Sequence, residues 1–337
     1  MISFRNDYNE CCHPEIFERI SKLYTEKNTG YGLDKHSKRA QDLIKDWLGE
    51  KDLDVHFIPG GTGTNLLAIK TVLKPFEGVI ACDSGHISIH EVGAIEATGH
   101  KVIMTHHKEG KLTPEAIRAC MVRQSHDFSI TPAMIYISNT TELGTVYKKS
   151  ELADLRKVCD EYGLKIFLDG ARLSYALNSP ENDLSAKELM KYVDILFIGG
   201  TKAGLMLGEA LVFKSDIADK NFRKLLKQRG NMLAKGFLMG MQFERLFEDD
   251  LYMEIGKQTI DSALEFAKKL ESKGIEFYAK PVSNQIFIIL DDEKIEALEE
   301  KFEFEFEKKI DESSSAIRLV TSWATKSQEI DAFVDCL

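Results

Sequence analysis

No run in this chain approaches the ~18–20 apolar residues of a membrane-spanning helix, and the opening Met1-Ile-Ser-Phe-Arg-Asn-Asp7 lacks the apolar core of a signal segment. Basic side chains do not prevail either. The 44 lysines and arginines face 54 acidic residues for a net −10 at pH 7, a field that repels polyanions and anionic membrane surfaces. Six cysteines, at 11, 12, 82, 120, 159 and 336, never take the C-x-x-C spacing of zinc sites, and nine histidines are dispersed. These absences argue against nucleic-acid, membrane and metal-centred functions and for reduced thiols. A soluble cytoplasmic protein with no catalytic metal is the expectation. There is no internal repeat, no Ser/Pro linker, no Walker Gly-Lys-Ser/Thr and no G-x-G-x-x-G turn.

What remains is a long chain with alternating patterns. At 337 residues it exceeds the ~250–300 at which single cores usually divide, so two domains are expected. Short apolar, β-branched runs at 55–58, 78–82, 101–105, 134–138, 165–168, 193–198 and 210–213 alternate with amphipathic stretches, the mark of βαβ units and a largely parallel sheet. Ser150 reads as the N-cap of a helix carrying Leu152, Leu155 and Val158, ended by Gly163. From Asp216 to about Lys273 the pattern is mostly helical. Strand candidates at 285–290 and 317–321 and a charged helix at 293–301 then suggest a smaller α/β lobe. The division expected is 1–250, including the N-terminal segment, and 251–337. The acidic-aromatic Phe302-Glu-Phe-Glu-Phe-Glu307 alternates with period two and reads as an exposed edge strand.

Two of the apolar runs end in chemistry. Lys165-Ile-Phe-Leu-Asp-Gly-Ala-Arg172 delivers a carboxylate, Asp169, and then a cation, Arg172, while Asp194-Ile-Leu-Phe-Ile-Gly-Gly-Thr-Lys202 delivers one lysine from a glycine loop. In open parallel sheets ligands collect at the carboxyl ends of strands. A lysine that burial and neighbouring cations can deprotonate, near an anion able to hold a ring nitrogen protonated, is what pyridoxal 5'-phosphate (PLP) chemistry requires. Read singly, Asp-Gly is equally an ordinary turn and Lys202 a solvated loop residue. A third stretch, His56-Phe-Ile-Pro-Gly-Gly-Thr-Gly-Thr-Asn65, has a glycine-rich turn into a helix start, which offers free backbone N–H groups to a phosphate or, equally, is a helix capped by Thr62 or Thr64.

Taken in order, Gly61-Thr-x-Thr-Asn65, Ser84-Gly-His-Ile-Ser-Ile-His-Glu-Val-Gly-Ala94, Asp169-Gly-Ala-Arg172, Gly199-Gly-Thr-Lys202 and Arg318-Leu-Val-Thr-Ser-Trp323 resemble the low-specificity L-threonine aldolases of the β-eliminating lyase group. The resemblance runs from His13 to Trp323. It implies the α/β PLP-dependent transferase fold of the aspartate-aminotransferase type, with a mostly parallel sheet in the large domain and a smaller C-terminal α/β domain. It further implies cleavage of β-hydroxy-α-amino acids, L-threonine and L-allo-threonine, to glycine and an aldehyde. A small amino acid is then the partner, and a homodimer or homotetramer with shared sites the assembly.

Residue by residue, the resemblance implies Lys202 as the PLP-bearing lysine, Asp169 at the ring nitrogen and His86 stacked on the ring, with Gly61, Thr62, Thr201 and Lys235 at the phosphate. Arg318 and Arg172 would hold the substrate carboxylate, with Asn6, Tyr31 and Thr141 around the substrate and Lys227 an alternative source of positive charge. Two departures stand out. Many members carry a histidine in the loop after the strand at 134–138, where this chain reads Asn139-Thr-Thr-Glu-Leu-Gly144. Thr141 cannot act as a base near pH 7, which leaves His86 or a water for the hydroxyl proton. Phe237 stands where a basic residue often follows Leu-Ala-Lys-Gly. An aminotransferase or β-eliminating lyase would use the same lysine, aspartate and arginine; a non-catalytic scaffold or a nucleotide-binding module are the rivals outside that chemistry.

Overall fold

A computed structural model describes residues 1–337. Its strands are, in chain order, β1 (Ile2–Ser3), β2 (Leu53–Ile58), β3 (Glu77–Cys82), β4 (Lys101–Thr105), β5 (Thr131–Ser138), β6 (Lys165–Gly170), β7 (Ile195–Gly199), β8 (Glu209–Lys214), β9 (Glu276–Phe277), β10 (Gln285–Asp291), β11 (Phe302–Glu303), β12 (Glu305–Lys309) and β13 (Ser314–Val320). Each apolar run of the large domain is a strand, as expected.

Seven of them form one sheet in the order β2-β8-β7-β6-β5-β3-β4. All neighbours run parallel except β8, which is antiparallel to β2 and β7. The central strands are buried almost end to end, because helices cover both faces, and strands covered twice read as continuous apolar runs. Side-chain alternation divides them between two cores. Ile80, Ile135, Ile137, Ile166 and Leu168 meet the helices Lys35–Leu48 and Lys149–Tyr162 on one face. Val79, Ala81, Met134, Tyr136, Phe167 and Phe197 meet Leu67, Ala68 and Ile69 of the helix Gly61–Val72 on the other. Asp169 shares its parity with Phe167 and so turns toward the N-terminal part of that helix. Strand order reverses between β3 and β5, which opens a crevice at their carboxyl ends.

The smaller lobe is an antiparallel sheet, β12-β13-β10-β9. It packs on Ala263, Phe266 and Leu270 of the helix Leu251–Ser272 and on Ile330 and Phe333 of the helix Ser327–Asp335. Three local expectations change. Residues 2–4, assigned to the large domain, belong to this lobe: β1 pairs in parallel with β11, and the Phe4 ring lies 5.0 Å from Phe266 and 5.7 Å from Phe333. Phe302-Glu307 does reach the sheet edge, but the strand breaks at Phe304, whose ring turns inward while Phe306 stays exposed. The helix expected to be capped by Ser150 starts at Lys149, and the Glu151 carboxylate accepts from the Lys148 N–H at 2.7 Å in place of a hydroxyl cap.

The helix Leu251–Ser272 joins the lobes. Its first turns carry Tyr252 and Ile255 into the large core and its later ones enter the small core. Close approach is possible because residue 256 is glycine: a Cβ there would lie 2.6 Å from the Ser174 carbonyl oxygen. Gly256→Ala should therefore lower the unfolding free energy by about 2–3 kcal/mol, at the upper end of overpacking costs, in a denaturant titration. An unchanged midpoint would contradict this packing.

Candidate active site

Asp169 is the penultimate residue of β6, and three donors hold its carboxylate. Tyr136 Oη on β5 donates to Oδ2 at 2.5 Å, Asn65 Nδ2 to the same oxygen at 3.1 Å, and the Ala171 N–H to Oδ1 at 2.9 Å. The second hydrogen of the Asn65 amide goes to Glu91 Oε1 at 2.7 Å, and that oxygen also pairs with His86 Nδ1 at 2.8 Å. One continuous network thus runs Tyr136, Asp169, Asn65, Glu91, His86. Burial works against a charged imidazole at His86, yet the Glu91 hydrogen bond and the charge of Asp169 together raise its pKa above the ordinary histidine value.

Lys202 is brought beside this network by glycines. Gly199 packs so tightly on the loop after β6 that a Cβ would lie 2.1 Å from the Ala171 carbonyl oxygen. The next turn is anchored by the Gly200 N–H donating to Glu209 Oε2 at 2.8 Å and by Tyr175 Oη donating to the Lys202 carbonyl at 2.6 Å. Burial and then the charge of Arg172 push the Lys202 amine down from its ordinary pKa, against the pull of Asp7, Asp169 and Glu209. Burial pushes Glu209 up to about 7.

The two arginines are placed differently. Arg172 is committed: its Nε and a terminal nitrogen donate to Asp7 at 2.8 and 3.0 Å, and Asn284 Nδ2 adds a bond to Asp7 Oδ2 at 2.9 Å. Burial would raise the Asp7 pKa, but Arg172, followed by Lys202, holds it below the usual carboxylate range. Arg318, on β13, makes no ion pair, and its Nε is sealed from solvent without a hydrogen-bond partner. A guanidinium held this way is prepared for a carboxylate.

The glycine turn also has the form of a binding site. Gly60 caps the helix Gly61–Val72 with no side chain, neither threonine serving, so the N–H groups of residues 61–63 stay unpartnered, and Gly61 rests against the Phe197 ring of β7. Thr62 is exposed there. Thr201 accepts from the Gly208 N–H at 3.2 Å. An uncapped helix start, a fixed carboxylate, a lysine with a depressed pKa and an unpaired arginine fit a phosphorylated, cationic-ring cofactor carrying an amino-acid substrate.

Most of the other expected residues have partners of their own. The Thr141 hydroxyl is turned into its own loop, 2.8 Å from Thr145 Oγ1. Asn6 accepts from the Tyr8 N–H, leaving its neighbour Asp7 to reach Arg172. Tyr31 sits with Lys227, whose ammonium lies 5.0 Å from its ring centroid, and Lys235 is exposed without an ion pair; in the same region Asn231 abuts Gly63 of the glycine turn. Sequence reasoning missed Tyr136, Glu91, Glu142 and Glu209 as site residues. Glu91 and Glu142 stand inside the quoted motifs, and an acid within an otherwise apolar or glycine-rich stretch was the available signal.

Comparison with known proteins agrees with this geometry. Residues 9–294 match the family model described as beta-eliminating lyase. The low specificity L-threonine aldolase of Pseudomonas aeruginosa is 29% identical over 299 residues, covering 87% of this chain and 85% of that protein. A solved structure of Leishmania major threonine aldolase is 44% identical and superposes with a TM-score of 0.97, covering 99% of this chain and 98% of the other. An aspartate aminotransferase from Thermus thermophilus, solved with maleate, shares the fold at a TM-score of 0.73 and 13% identity, covering 100% and 90%. The fold is accordingly the aspartate-aminotransferase type that the sequence led us to expect.

The buried Asp7–Arg172 pair yields a stability prediction. Because the folded pKa of Asp7 is depressed, its contribution is present above the ordinary value of about 3.9 and is lost as pH falls through the folded value. Asp7→Asn should cost about 3–5 kcal/mol near pH 7 by stranding a buried guanidinium, and the difference from wild type should shrink in acid. Equal stability of the two proteins at pH 7 by urea unfolding would contradict the pairing.

Proposed function

The chain belongs to the beta-eliminating lyase family, and on that premise we propose that it cleaves L-threonine and L-allo-threonine to glycine and acetaldehyde, with PLP held by Lys202. The observation that carries this reading is the pairing of a carboxylate fixed by three donors, Asp169, with a lysine of lowered pKa on the adjacent strand's loop. When bound, PLP supplies an electron sink for the pair released as the substrate's Cα–Cβ bond breaks.

The remaining work falls to side chains. Lys202, whose pKa burial and then Arg172 lower, would be the attachment point, since both effects favour the neutral amine. Asp169 presents a fixed anion to the ring nitrogen, and Tyr136 and Asn65 keep it from turning away. The free N–H groups at the start of the helix Gly61–Val72, aided by Thr62 and Thr201, receive the phosphate. His86, oriented by Glu91, would face the ring. Arg318 would grip the substrate carboxylate and so fix which bond at Cα is presented for cleavage. Arg172 supports the amine through its charge while its fork stays on Asp7. A cytoplasmic location and a homo-oligomer belong to the same reading, and the exposed apolar residues Tyr31, Leu33, Ile89 and Val92 support the assembly.

Incubation of the pure protein and PLP with L-threonine, L-allo-threonine and L-serine tests this. Glycine and acetaldehyde should form from both threonine isomers, and Lys202→Ala should lose both the products and the yellow absorbance. A 2-oxo acid as the main product would replace the aldolase by an aminotransferase or eliminating lyase. Arg318→Lys should raise KM for threonine at least tenfold, since a point charge cannot reproduce a two-pronged grip worth about 1.5–3 kcal/mol; an unchanged KM would free Arg318 from that role.

A further inference from the structure

We propose that Glu142, in the loop after β5, is the base that takes the proton of the substrate's β-hydroxyl. The proposal rests on the aldolase reading and fills the one role which that reading leaves without a side chain.

The geometry places Glu142 at the crevice between β3 and β5. Its Oε1 accepts from the His86 N–H at 3.0 Å and from Ser138 Oγ at 2.9 Å, which fixes the carboxylate at the carboxyl ends of both strands. Both bonds fall on Oε1, which leaves Oε2 as the uncommitted oxygen. The alternatives are less suited. Thr141 is turned into its own loop, and His86 keeps only Nε2 free, its Nδ1 being paired with Glu91. In the protonated form that Glu91 and the charge of Asp169 favour, the imidazole has no lone pair for the hydroxyl proton.

Charges around Glu142 suit a base. Burial and then Asp169 raise its pKa, while the Ser138 and backbone hydrogen bonds and His86 partly offset them. Tyr136 on β5, Cys82 at the end of β3 and Tyr147 also lie within its field. A carboxylate with a raised pKa is a stronger base than an ordinary one, closer to the optimum for proton transfer near neutrality. The proton passes from the β-oxygen to Oε2, the O–H electron pair closes the C=O bond of the aldehyde, and the Cα–Cβ pair goes to the sink. A solvent proton completes glycine at Cα, and Glu142 returns its own to solvent.

Glu142→Gln and Glu142→Asp test the assignment. In Gln, kcat for threonine cleavage should fall roughly 10²–10³-fold, the range for loss of a general base, with KM little changed. Exchange of a glycine α-proton with D2O, followed by proton NMR, needs no hydroxyl base and should stay within about threefold of wild type; Asp should recover part of the cleavage rate. In wild type kcat/KM should climb with pH as Glu142 ionises, and Gln should lose that limb. In the PLP-free proteins, infrared difference spectra between acid and neutral pH should show a protonated-carboxyl band that Gln lacks. Undiminished cleavage by Gln, glycine exchange that falls in step with cleavage, or identical infrared spectra would each overturn the assignment. A wild type that cleaves neither threonine isomer would bring down the aldolase reading and this one with it, whereas cleavage that survives in Gln removes this one alone.

Discussion

The fixed carboxylate of Asp169 is the constraint around which the rest of the site is arranged. A carboxylate at the end of a buried strand is stable only if its lone pairs are satisfied, and here a phenol, an amide and a backbone N–H do so from three different elements. Each hydrogen bond to the charged group contributes about 1.5–3 kcal/mol, so β5, β6 and the helix Gly61–Val72 cannot shift independently. That helix then brings its uncapped start, and through Asn65 and Glu91 the orientation of His86, to the same crevice. The anion and the phosphate-binding turn are therefore positioned by one network.

Charge balance explains why two arginines serve one pocket differently. Arg172 lies deep and is neutralised by Asp7, since a lone buried guanidinium would be costly. Its field still disfavours the ammonium form of Lys202. Arg318 comes from the other lobe and has no counter-ion, so its grip is left for a substrate. Asp7 and Asn284 tie the N-terminal segment, the large sheet and the small lobe together where the two lobes meet the site. Motion of the small lobe would therefore be felt at Arg172 as well as at Arg318.

Much of this was legible in sequence, for a physical reason. Parallel strands covered on both faces announce themselves as apolar runs, and whatever polar residue follows such a run stands at the sheet's carboxyl edge; Asp169 and Lys202 are found that way. The glycine turn before Asn65 was legible as a helix start, though not whether it binds or caps. Partners joined across the chain were not. Tyr136 meets Asp169 over 33 residues, Glu142 meets the His86 N–H over 56 and Asp7 meets Arg172 over 165, and no local pattern records such contacts. Nor could periodicity reveal that β1 crosses to the small lobe, because a two-residue strand has no period to read.

The most direct measurement of the central claim is a crystal structure of the protein grown with PLP. The account predicts electron density continuous from the Lys202 side chain into the cofactor, the ring nitrogen within hydrogen-bonding distance of Asp169 and the phosphate on the N–H groups of residues 61–63. Density attached to another lysine, or a ring nitrogen facing away from Asp169, would contradict it.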